Sequence, residues 1–366
     1  MAGGMTGSKE AARSAEPRVV DGNVPRHAPM EPPDQGVGPG SRPLPQLVGD
    51  LTMSVWGLAA LASADETGLL DELGEPGSAQ ALAQRTGLPA PLVESLMDVL
   101  VALGLVRREG RVFVAEPTLI PALSGPGRSA LRAELRSNLL QSARMVAGAG
   151  QGDPLVGWRH TDPRILQAQG QRSAPLVSLW AEHVFPGLEG LLERLEGSDG
   201  AFLDVGVGVA ALPIGMCHRF PRLRAVGVDP LEPALVEARR NIEAAQLADR
   251  IDLRAERFEH LEEDSAYDLI HIPTMFAPAQ MLPGWFERAR RALRPGGWVL
   301  LQMLDRRGDG LRQAVLGLWT TLWGGGVLLP EQAQGMLADA AYERTGVVPS
   351  MPGPPVVHVV GRRPLT

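Results

Sequence analysis

The chain has 366 residues, 44% of them hydrophobic and 21% charged, with a net charge of −7, a composition ordinary for a globular protein of about two domains. The acidic balance argues against a broad phosphate-binding surface, because affinity for a nucleic-acid backbone comes chiefly from excess Lys and Arg. One cysteine, Cys217, allows neither an internal disulfide nor a thiolate zinc cluster, and one lysine, Lys9, makes Schiff-base and Walker-type phosphate chemistry improbable.

Residues 1–45 contain seven Gly and eight Pro and no aromatic residue, a composition that predicts a disordered tail. The N-terminus has no apolar secretory region, and no apolar stretch reaches the roughly 18 residues needed to span a bilayer, so a cytoplasmic chain with no membrane partner is expected. From Leu47 the apolar spacing becomes helical (Leu51, Val55, Leu58, Leu61, then Leu69, Leu70 and Leu73), predicting an amphipathic helix pair. Ser78 caps a short helix through Arg85, Gly87-Leu88-Pro89 turns, and Pro91 to Leu103 forms a second helix closed by Gly104. Leu105-Val106 and Arg111 to Val114, on either side of Glu109-Gly110, complete a winged helix-turn-helix.

That second helix has the wrong chemistry for reading DNA. Between Arg85 and Arg107 there is no basic residue, Glu94 and Asp98 would face phosphate, and Leu92, Val93, Leu96, Val99, Leu100 and Leu103 spread apolar surface around it. A packed or dimerising role is therefore expected, with no nucleic-acid partner. Residues 129–195 read as mostly helical, broken near Gly148 to Pro154 and at Pro163, Pro175 and Pro186.

At Ala201 the period changes. Phe202 to Val205, Ala225 to Asp229, Ile251 to Arg254, Tyr267 to Ile272 and Trp298 to Met303 are short apolar strands separated by helical segments, which predicts an α/β, doubly wound, Rossmann-like parallel sheet. Arg344 to Val348 and Val356 to Gly361, joined by the turn Pro349 to Pro355, add a hairpin that places a reversed strand in the sheet. After the first strand, Asp204-Val205-Gly206-Val207-Gly208 lets backbone approach a ligand beside a helix N-terminus. Asp229 ends the next strand, where a carboxylate can accept both hydroxyls of a ribose. Gly206-x-Gly208-x-x-Ala211 also satisfies a dinucleotide fingerprint, which would imply NAD and an oxidoreductase. Asp204 beside a cofactor's amino-acid end, the turn Leu293 to Gly297 and the reversed strand favour S-adenosylmethionine instead.

With these residues in order, the stretch from Leu47 to Leu365 resembles the bacterial and plant small-molecule O-methyltransferases that join an N-terminal winged-helix dimerisation domain to a class I S-adenosylmethionine domain. The resemblance rests on Glu66 to Asp71, Ala81-Leu82-Ala83 and Leu103 to Val106 in the first domain. In the second it rests on Asp204-x-Gly206-x-Gly208, Gly227-Val228-Asp229, Tyr267-Asp268-Leu269 and Arg291 to Gly297. It implies a tail at 1–45, a winged-helix dimerisation domain at 46–128, a helical linker at 129–198 contributing to the substrate chamber, and a methyltransferase domain at 199–366. It implies cofactor contacts from Asp204, Gly206, Gly208, Asp229, Glu256, Arg257, Phe258 and Ile272, and an acceptor pocket lined by Trp180, His183, Met275, Phe276, Trp319 and Trp323.

Three departures qualify the resemblance. Ala210 stands where the family has a third glycine, and Glu256-Arg257-Phe258 stands where an acidic residue usually precedes an aromatic. The family's catalytic histidine falls near Met275, so His183 and His271 are the substitutes nearest to hand. A missing base shifts weight toward a carboxylate or an otherwise pre-activated oxygen on a small, natural-product-like acceptor. The chain is thus expected to be a homodimeric, S-adenosylmethionine-dependent O-methyltransferase without a metal. A winged-helix regulator and a non-catalytic S-adenosylmethionine-binding protein are the alternatives.

Overall fold

The computed structural model describes residues 43–348 and 355–366. The expected disordered tail, up to residue 42, and most of the turn Pro349 to Pro355 lie outside the described residues. Helix α1 (Leu44–Glu66) takes Pro45 in its first turn, where the missing N–H has no intrahelical partner to lose. At 23 residues, with a mean hydropathy of 1.4 over its most apolar stretch, α1 corrects the expectation that no segment is long and apolar enough to cross a bilayer. Most of it is uncovered in the single chain: Val48, Leu51, Val55 and Trp56 are exposed. The expected second helix is a 3₁₀ turn at Asp71–Gly74, because Gly68 at φ 76° ends the helical path and Pro76 follows closely.

The winged unit comprises β1 (Gly77–Ser78), α2 (Ala79–Thr86), α3 (Ala90–Ala102), β2 (Val106–Glu109) and β3 (Val112–Ala115), its sheet ordered β1-β3-β2. Ser78 Oγ accepts the N–H of Ala81 at 3.2 Å to cap α2. α3 buries Val93, Met97 and Leu100 against Leu69, Leu70, Leu82 and Phe113. Its acids face the wing rather than solvent alone: Arg108 pairs with Glu94 at 2.8 Å and with Asp98, and lies over the Phe113 ring.

Four helices follow: α4 (Gly125–Gln151), α5 (Pro163–Gln171), α6 (Leu176–His183) and α7 (Leu191–Glu196). Two of the expected proline breaks are starts. Pro163 is the first residue of α5, behind an Asp162 cap, and Pro175 directly precedes α6. Arg128 and Arg132 of α4 both hold the buried Asp65 at 2.8 Å, and Arg136 holds Glu66, so α4 is pinned to α1 across the 128/129 junction.

The second unit runs β4 (Ala201–Val205), α8 (Ala211–Arg219), β5 (Arg224–Val228), α9 (Glu232–Ala244), β6 (Ile251–Arg254), β7 (Tyr267–Pro273), α10 (Leu282–Ala292), β8 (Leu293–Leu304), α11 (Gly310–Trp323), α12 (Pro330–Asp339), β9 (Glu343–Val348) and β10 (Val356–Arg362). Its seven strands are ordered β6-β5-β4-β7-β8-β10-β9, with β10 antiparallel to both neighbours. This is the class I methyltransferase fold, a doubly wound Rossmann-like sheet with a reversed strand. Alternation along each strand splits the core. Phe202, Leu269 and Trp298 pack with α6 and α8 on one face, and Leu203, Ile270 and Val299 pack with α10 and α12 on the other. The strand order reverses beside β4, so ligand-binding geometry is expected at the carboxyl ends of β4 and its neighbours.

Candidate functional site

A cavity of about 380 Å³ opens over the carboxyl ends of β4, β5, β6 and β7, within the range of small-molecule sites. Its floor is the turn after β4. Gly206 and Gly208 take φ 69° and 56°, left-handed values that a glycine adopts without steric cost. The Gly206 N–H donates to Val228 O at 2.8 Å, tying the turn to β5. Ala210 caps α8 at φ 65°, so the turn keeps the shape expected of a third glycine at a cost of roughly 1–2 kcal/mol.

Asp229 joins the two loops. Its Oδ2 accepts the Gly208 N–H at 2.9 Å and its Oδ1 the Leu231 N–H at 2.8 Å. Burial raises its carboxyl above the ordinary value, the Leu231 and Gly208 donors pull it back, and the charge on Asp204 adds to the rise. Asp204, 3% exposed, also lines the cavity, with Oδ1 2.7 Å from His271 Nδ1. His271 Nε2 lies 3.0 Å from Gln302 Oε1. Both ring nitrogens are thus engaged, and the side chain is 2% exposed. His271, named as a substitute for the missing base, is thus a held, buried imidazole that lines the cavity.

Beyond β6, Glu256, Arg257 and Phe258 all line the cavity. Phe258 meets Trp285 edge-on at 5.4 Å, and Trp285, which the sequence reading missed, lines the same end. Ile272, expected on the cofactor, is fully buried in the core between β7 and α10 and is outside the cavity lining. Successive residues of a strand point to opposite faces, so its neighbour His271 takes the cavity side.

The other end is aromatic. Phe276 and Trp323 stack at 5.0 Å, Trp158 stands edge-on to Phe276 at 5.2 Å, and all three line the cavity with Met275. Trp319 sits behind Trp323 at 5.8 Å, under the Arg172 guanidinium, as support rather than lining. Trp180 is completely buried beneath the site. It packs 5.1 Å from the His271 ring and donates its indole N–H to His358 Nε2 at 3.0 Å. Burial, with the neighbouring His271, pushes the His358 imidazole down to about 3, matching its role as acceptor. His183 is corrected outright: its side chain is 49% exposed near Glu182, outside the cavity lining, because the buried face of α6 is the one that carries Trp180. His160 packs on Trp158 at 4.6 Å, and burial lowers its imidazole.

Among the cavity residues missed in the sequence were Trp158, Trp285 and Gln302. Gln302 carried a usable signal: it is a lone amide in the apolar run Trp298 to Met303, facing the lone His358 of the last strand. A polar residue inside a strand buried on both faces needs a partner.

Residues 202–297 match the family described as methyltransferase domain, and residues 68–110 match the IclR helix-turn-helix domain. The chain is 29% identical over 291 residues to the 3-hydroxy-5-methyl-1-naphthoate 3-O-methyltransferase of Streptomyces sahachiroi, covering 74% of this chain and 81% of that one. It is 28% identical over 342 residues to the tetracenomycin polyketide synthesis 8-O-methyl transferase TcmO of Streptomyces glaucescens, covering 86% and 95%. Among solved structures it is similar in fold to the mitomycin 7-O-methyltransferase MmcR, with a TM-score of 0.57 at 21% identity over 87% of this chain and 97% of that one. Human N-acetylserotonin methyltransferase in complex with SAM gives a TM-score of 0.59 at 20% identity, covering 90% and 100%.

Proposed function

We propose that this chain, an S-adenosylmethionine-dependent small-molecule O-methyltransferase with a winged-helix N-terminal domain, methylates an acidic hydroxyl on a planar aromatic molecule. The observation that carries the proposal is the acceptor end of the cavity. It is walled by Trp158, Met275, Phe276 and Trp323, and no unengaged histidine is among its lining residues. The oxygens named for the two Streptomyces relatives, the 3-O of a hydroxynaphthoate and an 8-O in tetracenomycin polyketide synthesis, support an aromatic acceptor of this kind.

The residues present fit the cofactor. Glycines at 206 and 208 leave the floor open to a ligand, with no heavy atom closer than 3.9 Å to an added Cβ. Asp229 would hold the ribose hydroxyls, Phe258 and Trp285 would flank the adenine with Glu256 and Arg257 at its rim, and Asp204 would face the amino-acid end. Bound there, the cofactor supplies a methyl group on an already activated sulfonium. The protein's share is orientation: Met275 and the aromatic walls hold the acceptor ring in line and exclude water. Among the described residues no side chain at that end is free to take a proton, so the acceptor arrives ionised.

A panel of hydroxylated aromatic acceptors of graded acidity tests this. The midpoint of log kcat/KM against pH should move with each acceptor's own pKa. A midpoint fixed near 6.5 for every acceptor would assign the proton to a protein histidine. A base-labile methyl ester as product would replace the hydroxyl with a carboxylate.

The domain division at 46–128, 129–198 and 199–366 belongs to the same proposal, with α4 bridging its first junction, as does a cytoplasmic homodimer. Support for the dimer is the uncovered apolar face of α1, continuous with exposed Leu103 beside Gly57. Burying side chains of this size contributes roughly 1.5–3 kcal/mol each. Light scattering on protein from the soluble cell fraction should give twice the chain mass. Recovery with membranes, a monomer at micromolar concentration, or a salt-sensitive shift with duplex DNA would overturn it, the last in favour of a regulator.

A further inference from the structure

Four neighbouring strands each place one buried polar residue on the same face of the sheet: Asp204 on β4, His271 on β7, Gln302 on β8 and His358 on β10. Asp204 and His271 are direct register partners, as are Gln302 and His358. His271 is constrained on three sides. Nδ1 meets Asp204 at 2.7 Å, Nε2 meets Gln302 at 3.0 Å, and the Trp180 ring, itself anchored to His358, lies 5.1 Å from the imidazole. A strand position that needed only to fill space would carry an apolar residue, as Ile270 and Ile272 do on either side. Burying four polar groups in a row costs free energy unless each is hydrogen-bonded. Three of them, Asp204, His271 and Gln302, line the cavity.

We propose that His271 is a positioning residue that aims the Asp204 carboxylate at the ammonium end of S-adenosylmethionine. It acts through Asp204 and takes no proton from the acceptor. With Nδ1–H donating to one carboxylate oxygen, the Asp204 carboxylate is held in one place in the wall of the cavity that it lines. Gln302 and Trp180 fix the ring plane, so Asp204 has one orientation rather than several. Without the imidazole, the buried Asp204 carboxylate loses the partner that holds its orientation, and its attraction for a cationic amine weakens.

This inference rests on the cofactor reading above, and the test separates the two. Isothermal titration of the wild-type protein with S-adenosylhomocysteine comes first, and absence of binding there sinks the cofactor reading itself. If it binds, His271→Leu should weaken it at least tenfold and raise KM for S-adenosylmethionine in parallel, with kcat at saturation within threefold of wild type. His271→Asn, whose amide N–H can stand in for Nδ1–H, should restore affinity to within threefold. In an Asp204→Asn background, His271→Leu should cost nothing further. Unchanged affinity in His271→Leu overturns the proposal, and so does a kcat loss of a hundredfold with affinity intact, which would make the histidine a base. If the leucine variant does not fold, the wild-type protein still decides. The His271 ring N–H proton should resonate far downfield in NMR and shift when S-adenosylhomocysteine is added, and a resonance indifferent to the ligand overturns the inference.

Discussion

Asp229→Ala should bind S-adenosylhomocysteine at least a hundredfold more weakly than the wild-type protein, with the fold retained. The carboxylate does two jobs. It accepts the N–H groups of Gly208 and Leu231, joining the turn after β4 to the loop after β5, and in the proposed function it is the acceptor offered to the ribose. Hydrogen bonds to a charged group contribute about 1.5–3 kcal/mol each, so losing two to the ribose weakens binding by two or more orders of magnitude. Asp229→Asn keeps one acceptor oxygen and should lie between the two. The pH dependence has two opposite signs. Because burial raises the Asp229 carboxyl in the folded state, its ionised form costs stability at neutral pH, and that cost is relieved as pH falls through the raised value. Ligand binding needs the ionised form, so the rise in Tm given by S-adenosylhomocysteine should shrink as pH falls from 7 toward 5. An Asp229→Ala protein with wild-type affinity would remove this residue from the site.

Gly325→Ala should raise the acceptor KM at least tenfold while S-adenosylhomocysteine affinity stays within about twofold. An added Cβ at Gly325 would lie 2.3 Å from the carbonyl oxygen of Met275 and 2.6 Å from its carbonyl carbon. Backbone cannot rotate away as a side chain can, so the loop carrying Met275 and Phe276 must move. The neighbouring glycines also lie close to other chain: a Cβ at Gly324 would meet Gly157 Cα at 3.0 Å, and one at Gly326 would meet Ala279 Cβ at 2.6 Å. These three glycines let the end of α11 cross the segments bearing Trp158 and Phe276, with the Trp158 N–H donating to Trp323 O at 3.2 Å. Overpacking of this kind costs about 1–3 kcal/mol, and here the strain falls on the acceptor walls. Gly335→Ala, in α12 with nothing within 4 Å of an added Cβ, is the control and should be neutral or slightly stabilising. A Gly325→Ala enzyme with an unchanged acceptor KM would show that this crossing does not shape the chamber.

Much of the cofactor end was legible in the sequence because its signals are local. A strand, two glycines, a helix start and an acid at the end of the next strand are read within one βαβ segment, and Gly206, Gly208 and Asp229 do meet in one cavity. The acceptor end was less legible. Met275, Phe276 and Trp323 were read as lining, but Trp158 comes from the break between α4 and α5. Trp180 and Trp319 were expected on the surface of the pocket and sit one layer behind it. Helical spacing says that two aromatics share a face, and it is silent on what that face meets.

What the sequence determined by itself was the alternation of strand and helix, the winged unit ahead of it, the glycine turn, and the absence of a base near Met275. Each follows from short-range periodicity, turn chemistry or residue identity, which need no knowledge of distant chain. What only the tertiary structure decided was the state of the histidines and the membership of the acceptor wall. Whether His271 is a free base or a held imidazole depends on β7 lying between β4 and β8, in the register that sets Asp204 and Gln302 on either side of it. Whether His183 faces a chamber or solvent depends on which side of α6 the sheet covers. Strand order and helix rotation are selected by burial summed over the whole core, and no local stretch of sequence carries that sum.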